Sequence, residues 1–177
     1  MANVNNLYVA AGSLVTLGGV DLGHTVDGAE ISIERELTEV KTDLYGNTPV
    51  DMVVAGQKAT VKLKLAEITP GIFSYVVPES DWDVGTSNRE QIHFGTKAGY
   101  QLRNDALQLV ITPQGGSNVN NSKTITFFKA VSTDNATVAY KIDEQSVFEV
   151  TFTALVDESR NATDGRLLGR FGPADIS

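Results

Sequence analysis

The chain has 177 residues, of which 41% are apolar and 20% charged, so it is long and apolar enough to bury its own core and is not a chain disordered throughout. Lys and Arg number 14 against 22 Asp and Glu, a net charge of −8 that excludes tight duplex binding through a basic patch as its main activity. There is no cysteine, which excludes disulfides, thiolate metal sites and cysteine nucleophiles and suits synthesis in a reducing cytoplasm.

The chain opens MANVNN, without a basic n-region, and the apolar stretch Leu7 to Leu17 is broken by Gly12, Ser13 and Thr16. No signal peptide is expected. Nor is a membrane span, since no run of about 18 apolar residues occurs. Leu14 to Leu22 reads as an early hairpin with Gly18-Gly19 as its turn. From Ala29 the period is two. Ala29, Ile31, Ile33 and Leu37 fall on one face and Glu30, Ser32, Glu34 and Glu36 on the other, with Arg35 interrupting the apolar row. Residues 38–57 lose the alternation and read as a long loop. Leu44, Tyr45, Val50, Met52, Val53 and Val54 make that loop too apolar to be purely solvated, so it needs a partner within the chain or in another. Alternation returns at Ala59, with Ala59, Val61, Leu63 and Leu65 opposed to Thr60, Lys62 and Lys64.

Thr69-Pro70 has the N-cap and first-turn chemistry of a short helix, with Ile72, Phe73 and Val76 on one face. Pro78 to Arg103 gives no clear element and holds Trp82. Leu107 to Thr112, Thr124 to Val131, Thr137 to Ile142 and Val147 to Val156 are rich in the β-branched and aromatic residues that strands prefer. Gln114 to Ser122, QGGSNVNNS, is a polar turn. No repeat or linker divides the chain, so one domain over 1–177 is expected. The fold class is all-β with one short helix, a β-sandwich or partial barrel of about seven or eight strands.

Catalytic chemistry is sparse. His24 and His93 have no helical His partner, and no metal or cofactor is expected. Asp81-Trp82-Asp83 places carboxylates beside an aromatic, as glycosidases do, but reads better as a loop in which Trp82 packs. Asp157-Glu158 is a second carboxylate pair without a partner group. Gly18-Gly19 and Gly115-Gly116 match no phosphate-binding fingerprint. Asn135-Ala136-Thr137 has the form of a glycosylation acceptor and means little without a secretory signal. No catalytic residue is assigned and no enzymatic activity is expected.

The segment from Glu39, EVKTDLYGNTPVDMVVAGQKATVKLKLAEIT, resembles the tail tube (major tail) proteins of long-tailed phages. The resemblance lies in Asp43 followed by Tyr45-Gly46, then Thr48-Pro49-Val50-Asp51, then Gly56 and the alternating strand ending Ala66-Glu67. The Leu17 to Gly23 hairpin and the Leu167 to Gly172 tail also fit, while residues 78–122 carry no match. The resemblance implies a β-sandwich flanked by a short helix, whose inner sheets join in hexameric rings that stack into the tube through which DNA leaves the capsid. It implies homo-oligomers, tail-tip and tail-terminator partners, a tape-measure protein inside the tube, DNA passing without sequence-specific binding, and a place in the virion. The segment 41–56 then corresponds to an assembly loop, with Asp43, Leu44, Tyr45, Gly46, Pro49, Asp51, Met52 and Gly56 as its candidate residues. If the two alternating strands pair antiparallel, Glu30, Glu34 and Glu36 share a weakly acidic face with Lys62 and Lys64, and that face is the expected lumen lining. Two other readings compete: a tube-end or hub-associated protein of the same fold, and a carbohydrate-binding module presenting Trp82.

Overall fold

The computed structural model describes residues 12–87, 89–95, 97–115, 121–138, 142 and 145–173. Antiparallel strands dominate the described residues, beside one short helix. Strands β1 (Gly12–Leu17) and β2 (Val20–Asp21) form the first hairpin, with Leu17 opposite Val20. Gly18 and Gly19 both have positive φ, 59° and 86°, which a two-residue turn matching the right-handed strand twist requires. Strands β3 (Thr25–Lys41) and β4 (Pro49–Leu65) then pair along their whole lengths. Helix α1 (Pro70–Val76) follows, and the Thr69 hydroxyl caps it by accepting from the Ile72 N–H at 3.2 Å.

Beyond the helix, β5 (Asp81–Val84) and β6 (Glu90–His93) make a separate two-stranded sheet. The chain returns to the main sheet as β7 (Leu107–Gln114), β8 (Ile125–Ser132), β9 (Thr137–Val138), β10 (Phe148–Leu155) and β11 (Gly169–Phe171). The main path runs β2-β1-β7-β8-β10-β4-β3, with β9 added to β10 and β11 to β8. β1, near one end of this path, approaches β3 at the other, so the sheet curls around its core as a partial barrel. The all-β class with one short helix is as expected.

The curl explains which residues are buried. Ala59, Val61, Leu63 and Leu65 of β4 all point inward and are closed off from solvent. They meet Phe148, Val150 and Phe152 of β10, Val15 and Leu17 of β1, and Leu109 and Ile111 of β7. Each such side chain stabilises the fold by about 1.5–3 kcal/mol through removal from water. Val76 of α1 seals one side, and Phe73 reaches the Phe148 ring at a centroid distance of 5.6 Å. The expected helix face of Ile72, Phe73 and Val76 is the face that packs.

Three expectations need correction. Residues 38–57 are not a loop, because β3 continues to Lys41 and β4 begins at Pro49, leaving a turn of 42–48. Alternation is a signature of one buried face, and here both faces are wet, so the signal vanished although the strands did not. A register irregularity between Glu36 and Leu37, where Gly56 and Val54 are the successive partners, disturbs it further. Residues 78–103, read without elements, contain β5 and β6. The last strand is also not Val147 to Val156. β11 follows it, and Gly169 is obligatory there, since a Cβ would lie 2.6 Å from the Thr126 carbonyl of β8. Of the strand expected at Thr137 to Ile142, Thr137 and Val138 are β9 and 139–141 lie outside the described residues, as do 116–120 of the polar turn.

Candidate assembly surface

The β3–β4 pair has two halves with different surroundings. In the inner half β4 is flanked by β10 on its other side, from Phe148 opposite Leu65 to Thr153 opposite Thr60. Beyond Thr60, β10 turns away, and β4 pairs only with β3. Among the described residues the outer half is therefore a two-stranded arm with unpaired backbone along both edges. Isolated two-stranded ribbons are at best marginal in water, and unpaired edges are templates for another strand.

The arm is apolar as well as bare. Ile33 is 64% exposed although it continues the row of the half-buried Ala29 and Ile31. Leu37, Val40, Val50, Met52, Val53 and Val54 are all exposed. At the tip, Asp43, Leu44 and Tyr45 form a 3-10 turn, with the Tyr45 N–H donating to the Thr42 carbonyl at 3.2 Å. Gly46 leaves it at φ 61°, a conformation that favours glycine. Leu44 is 83% and Tyr45 60% exposed.

The sequence-derived candidates are brought together along this arm. Pro49 faces Lys41, Asp51 faces Val40, Met52 faces Glu39 and Gly56 faces Glu36. Asp51 accepts from the Met52 N–H at 2.8 Å, and Lys41 holds Glu39 at 2.8 Å, so part of the arm's charge has a local partner while its apolar groups stay exposed.

At the root of the arm lies a cleft of about 650 Å³. One wall is Ile31, Ile33, Val54 and Ala59 of the arm; the other is Val156, Leu167, Leu168 and Phe171 from the end of the chain. Phe171 is 69% exposed. The cleft exists because the sheet splits. β10 leaves β4 after Thr60, and β11 pairs with Ile125 to Phe127 of β8 in its place, without reaching β4. Sequence reasoning missed this cleft, since its walls are far apart in the chain.

The wet face of the sheet carries the other candidate set. Glu30 stands opposite Lys62, and Glu34 opposite Lys58, which sequence reasoning left out. Glu36 stands opposite Gly56. Lys64 has Glu149 of β10 as its cross-strand neighbour, and their charged atoms lie 4.0 Å apart. Asp27 and Gly28 both have positive φ, 61° and 74°, and form a bulge between Val26 and Ala29. The Asp27 carboxylate accepts from Lys64 Nζ at 2.9 Å. That bond, and then the charge of Asp27, raise the Lys64 pKa above its usual value. An acidic excess remains on this face.

Two further pairs singled out from the sequence are divided by the structure. The Trp82 indole lies 3.6 Å from where a Cβ on Gly71 would stand, so one side of it rests on α1 while 43% of the residue stays exposed. Asp81 instead meets Lys97 at 3.5 Å, and Asp83 meets His93 at 3.6 Å. Asp157 binds Ser159 and Arg160, while Glu158 binds Arg103 at 2.7 Å. Asp81 lines a pocket with Trp82, Tyr100 and Asp105, but Asp83 lies outside it, so the sequence pair itself is not gathered around one site. His24 sits 3.9 Å from Glu67. Among the described residues no cluster of three potential metal ligands occurs, and no helix is long and apolar enough to cross a membrane. No protein-family model matches the chain, and no curated protein matches it in sequence.

Proposed function

We propose that this chain is a structural subunit without catalytic activity that assembles into stacked, hexameric rings forming a phage tail tube, the conduit for DNA delivery. The observation that carries the reading is the bare arm: a ribbon with open edges whose apolar side chains, from Ile33 to the Leu44–Tyr45 tip, have no cover within the described residues. Covering a few hundred Å² of such surface contributes roughly 25 cal/mol per Å², several kcal/mol before ordering costs. Exposed apolar surface on this scale marks an interaction site. The open edges favour a heterologous repeating contact, which closes into rings or extends into filaments. The resemblance of residues 14–76 to tail tube proteins supplies the specific identity. Under this reading the partners are other copies, tail-tip and terminator proteins, a tape-measure protein in the lumen, and DNA in passage.

Electron microscopy and sedimentation of the purified protein over rising concentration, with and without a tail-tip complex as nucleus, test the proposal. Rings or tubes are expected, with or without nucleation. A strict monomer under every one of these conditions would refute it. A tube-end protein of the same fold would use the same arm, and its low copy number per particle would set it apart.

A further inference from the structure

We infer that the pocket framed by α1, β5 and the 3-10 turn Leu102–Asn104 binds a neutral saccharide against Trp82. The pocket is separate from the arm. Val131 in its wall lies six residues along β8 from Ile125 in the cleft at the root of the arm, roughly 20 Å at the antiparallel rise per residue. The inference therefore goes beyond assembly and stands without it.

The first argument is geometric. The pocket holds about 510 Å³, within the roughly 300–1,000 Å³ of small-molecule sites. Trp82 is backed by Gly71 of α1 on one side and is nearly half open, so its indole is a fixed apolar plate. The C–H face of a pyranose covers such a plate. That contact removes apolar surface from water and sets C–H bonds against the electron-rich ring face. Tyr75 and Tyr100 add ring surface to the same walls. Asp105 ties the frame together. Its Oδ1 accepts from the Tyr100 hydroxyl at 2.7 Å, and its Oδ2 accepts from the Glu79 N–H, in the turn before β5, at 3.2 Å. Both sides of the pocket are thus held before a ligand arrives, which lowers the ordering cost of binding.

The second argument is chemical. Glu79, Asp81 and Asp105 line the pocket against one cation, Lys97, so acidic sugars are repelled. The carboxylates do not make it a site for an organic cation, because that place is already taken. Lys97 Nζ lies 5.8 Å from the Tyr100 ring centroid and 3.5 Å from Asp81. What remains for a ligand is hydrogen-bonding capacity. The carboxylates keep lone pairs, and the exposed Asn104 carboxamide both donates and accepts. The Ser80 hydroxyl donates to the Val77 carbonyl at 2.8 Å and keeps its oxygen as an acceptor. Sugar hydroxyls, which donate and accept, match that mixture beside the aromatic plate.

Trp82 is the only tryptophan of the chain, so its fluorescence reports on this pocket. The full chain is titrated with neutral trisaccharides of the glucose, mannose and N-acetylglucosamine series and applied to an array of neutral glycans. Trigalacturonate serves as the acidic comparison and 1,5-diaminopentane as the cationic one. The expected result is a saturable change in Trp82 emission with a Kd of about 1 mM or tighter for at least one neutral saccharide. Trp82→Ala, followed by calorimetry, should abolish that binding. Asn104→Ala, at an exposed position, should weaken it by about tenfold with an unchanged melting curve, and it decides the matter if the Trp82 variant does not fold. Absence of neutral-saccharide binding in both formats would overturn the inference. So would preference for the diamine or for trigalacturonate over every neutral sugar, or sugar binding that Asn104→Ala leaves intact. Each of these results leaves the tube reading standing. A protein that binds sugar as expected but never forms rings or tubes would do the reverse.

Discussion

Asp157 shows how one side chain holds a boundary of the assembly surface. It is nearly buried at the point where β10 ends, and its Oδ1 accepts from the Ser159 hydroxyl at 2.8 Å. Its Oδ2 accepts from Arg160 Nε at 3.2 Å, and Lys129 stands 3.6 Å away. Arg160 in turn lies 3.4 Å over the Phe128 ring. The hydrogen bond from Ser159 chiefly, with the two cations assisting against burial, holds the Asp157 carboxyl below its ordinary value of 3.8. A depressed carboxyl contributes stability that is whole above the unfolded value and is lost as pH falls through the lower folded value. Asp157→Asn is therefore expected to melt several degrees lower than wild type at pH 7. Its acid-side decline below the ordinary carboxyl value should also be shallower, as thermal scans between pH 2 and 7 would show. Parallel acid limbs in the two proteins would remove this role from Asp157.

The arm is the element whose sequence and structure disagree most usefully. Its inner half is dictated by alternation, because Ala59, Val61, Leu63 and Leu65 need a core. Its outer half has no core to face, and its strand character comes from β-branched residues and from continuing a ladder already begun. Since every residue of 37–55 except Pro49 is exposed, removing them should cost the fold little. Joining Glu36 to Gly56, which are direct cross-strand partners, through an Asn-Gly turn should yield a soluble monomer. Its melting temperature should stay within a few degrees of wild type, and it should form no rings or tubes. Circular dichroism and electron microscopy would check both halves of that statement. An unfolded product would place the outer arm in the core and end its assignment as an assembly element.

For the whole molecule, the wet sheet face is where charge bears on transport. Asp27, Glu30, Glu34, Glu36 and Glu149 outnumber Lys58, Lys62 and Lys64 across three adjacent strands. Cross-strand opposite charges add about 0.2–1 kcal/mol each to pairing, and the residual negative charge repels phosphate. Under the proposed function this face lines the bore, so DNA slides past a mildly repulsive wall. Changing Glu34 and Glu36 to Lys together should leave assembly largely intact and slow DNA ejection, most at low ionic strength where screening is weakest. Ejection kinetics of particles carrying the double variant, measured across salt concentrations, would show it. A map of the assembled tube with Glu34 and Glu36 on its outer surface would remove the face from this role.

The sequence by itself determined the fold class, the early Gly18-Gly19 hairpin, the capped helix at Thr69 and the two alternating strands. Each is written in local chemistry: positive-φ glycines, an N-cap hydroxyl before proline, and a period of two with one face buried. It also marked the segment near residues 44–54 as apolar, and the structure leaves those side chains exposed. Only the tertiary structure decided that this segment is a strand arm, that Lys58, Asp27 and Glu149 join the charged face, and that β11 and Val156 form a cleft against Ile33. Those features depend on where β10 leaves β4 and on how the chain end returns to β8. Such contacts join residues dozens of positions apart in the chain, and no local period or motif records them.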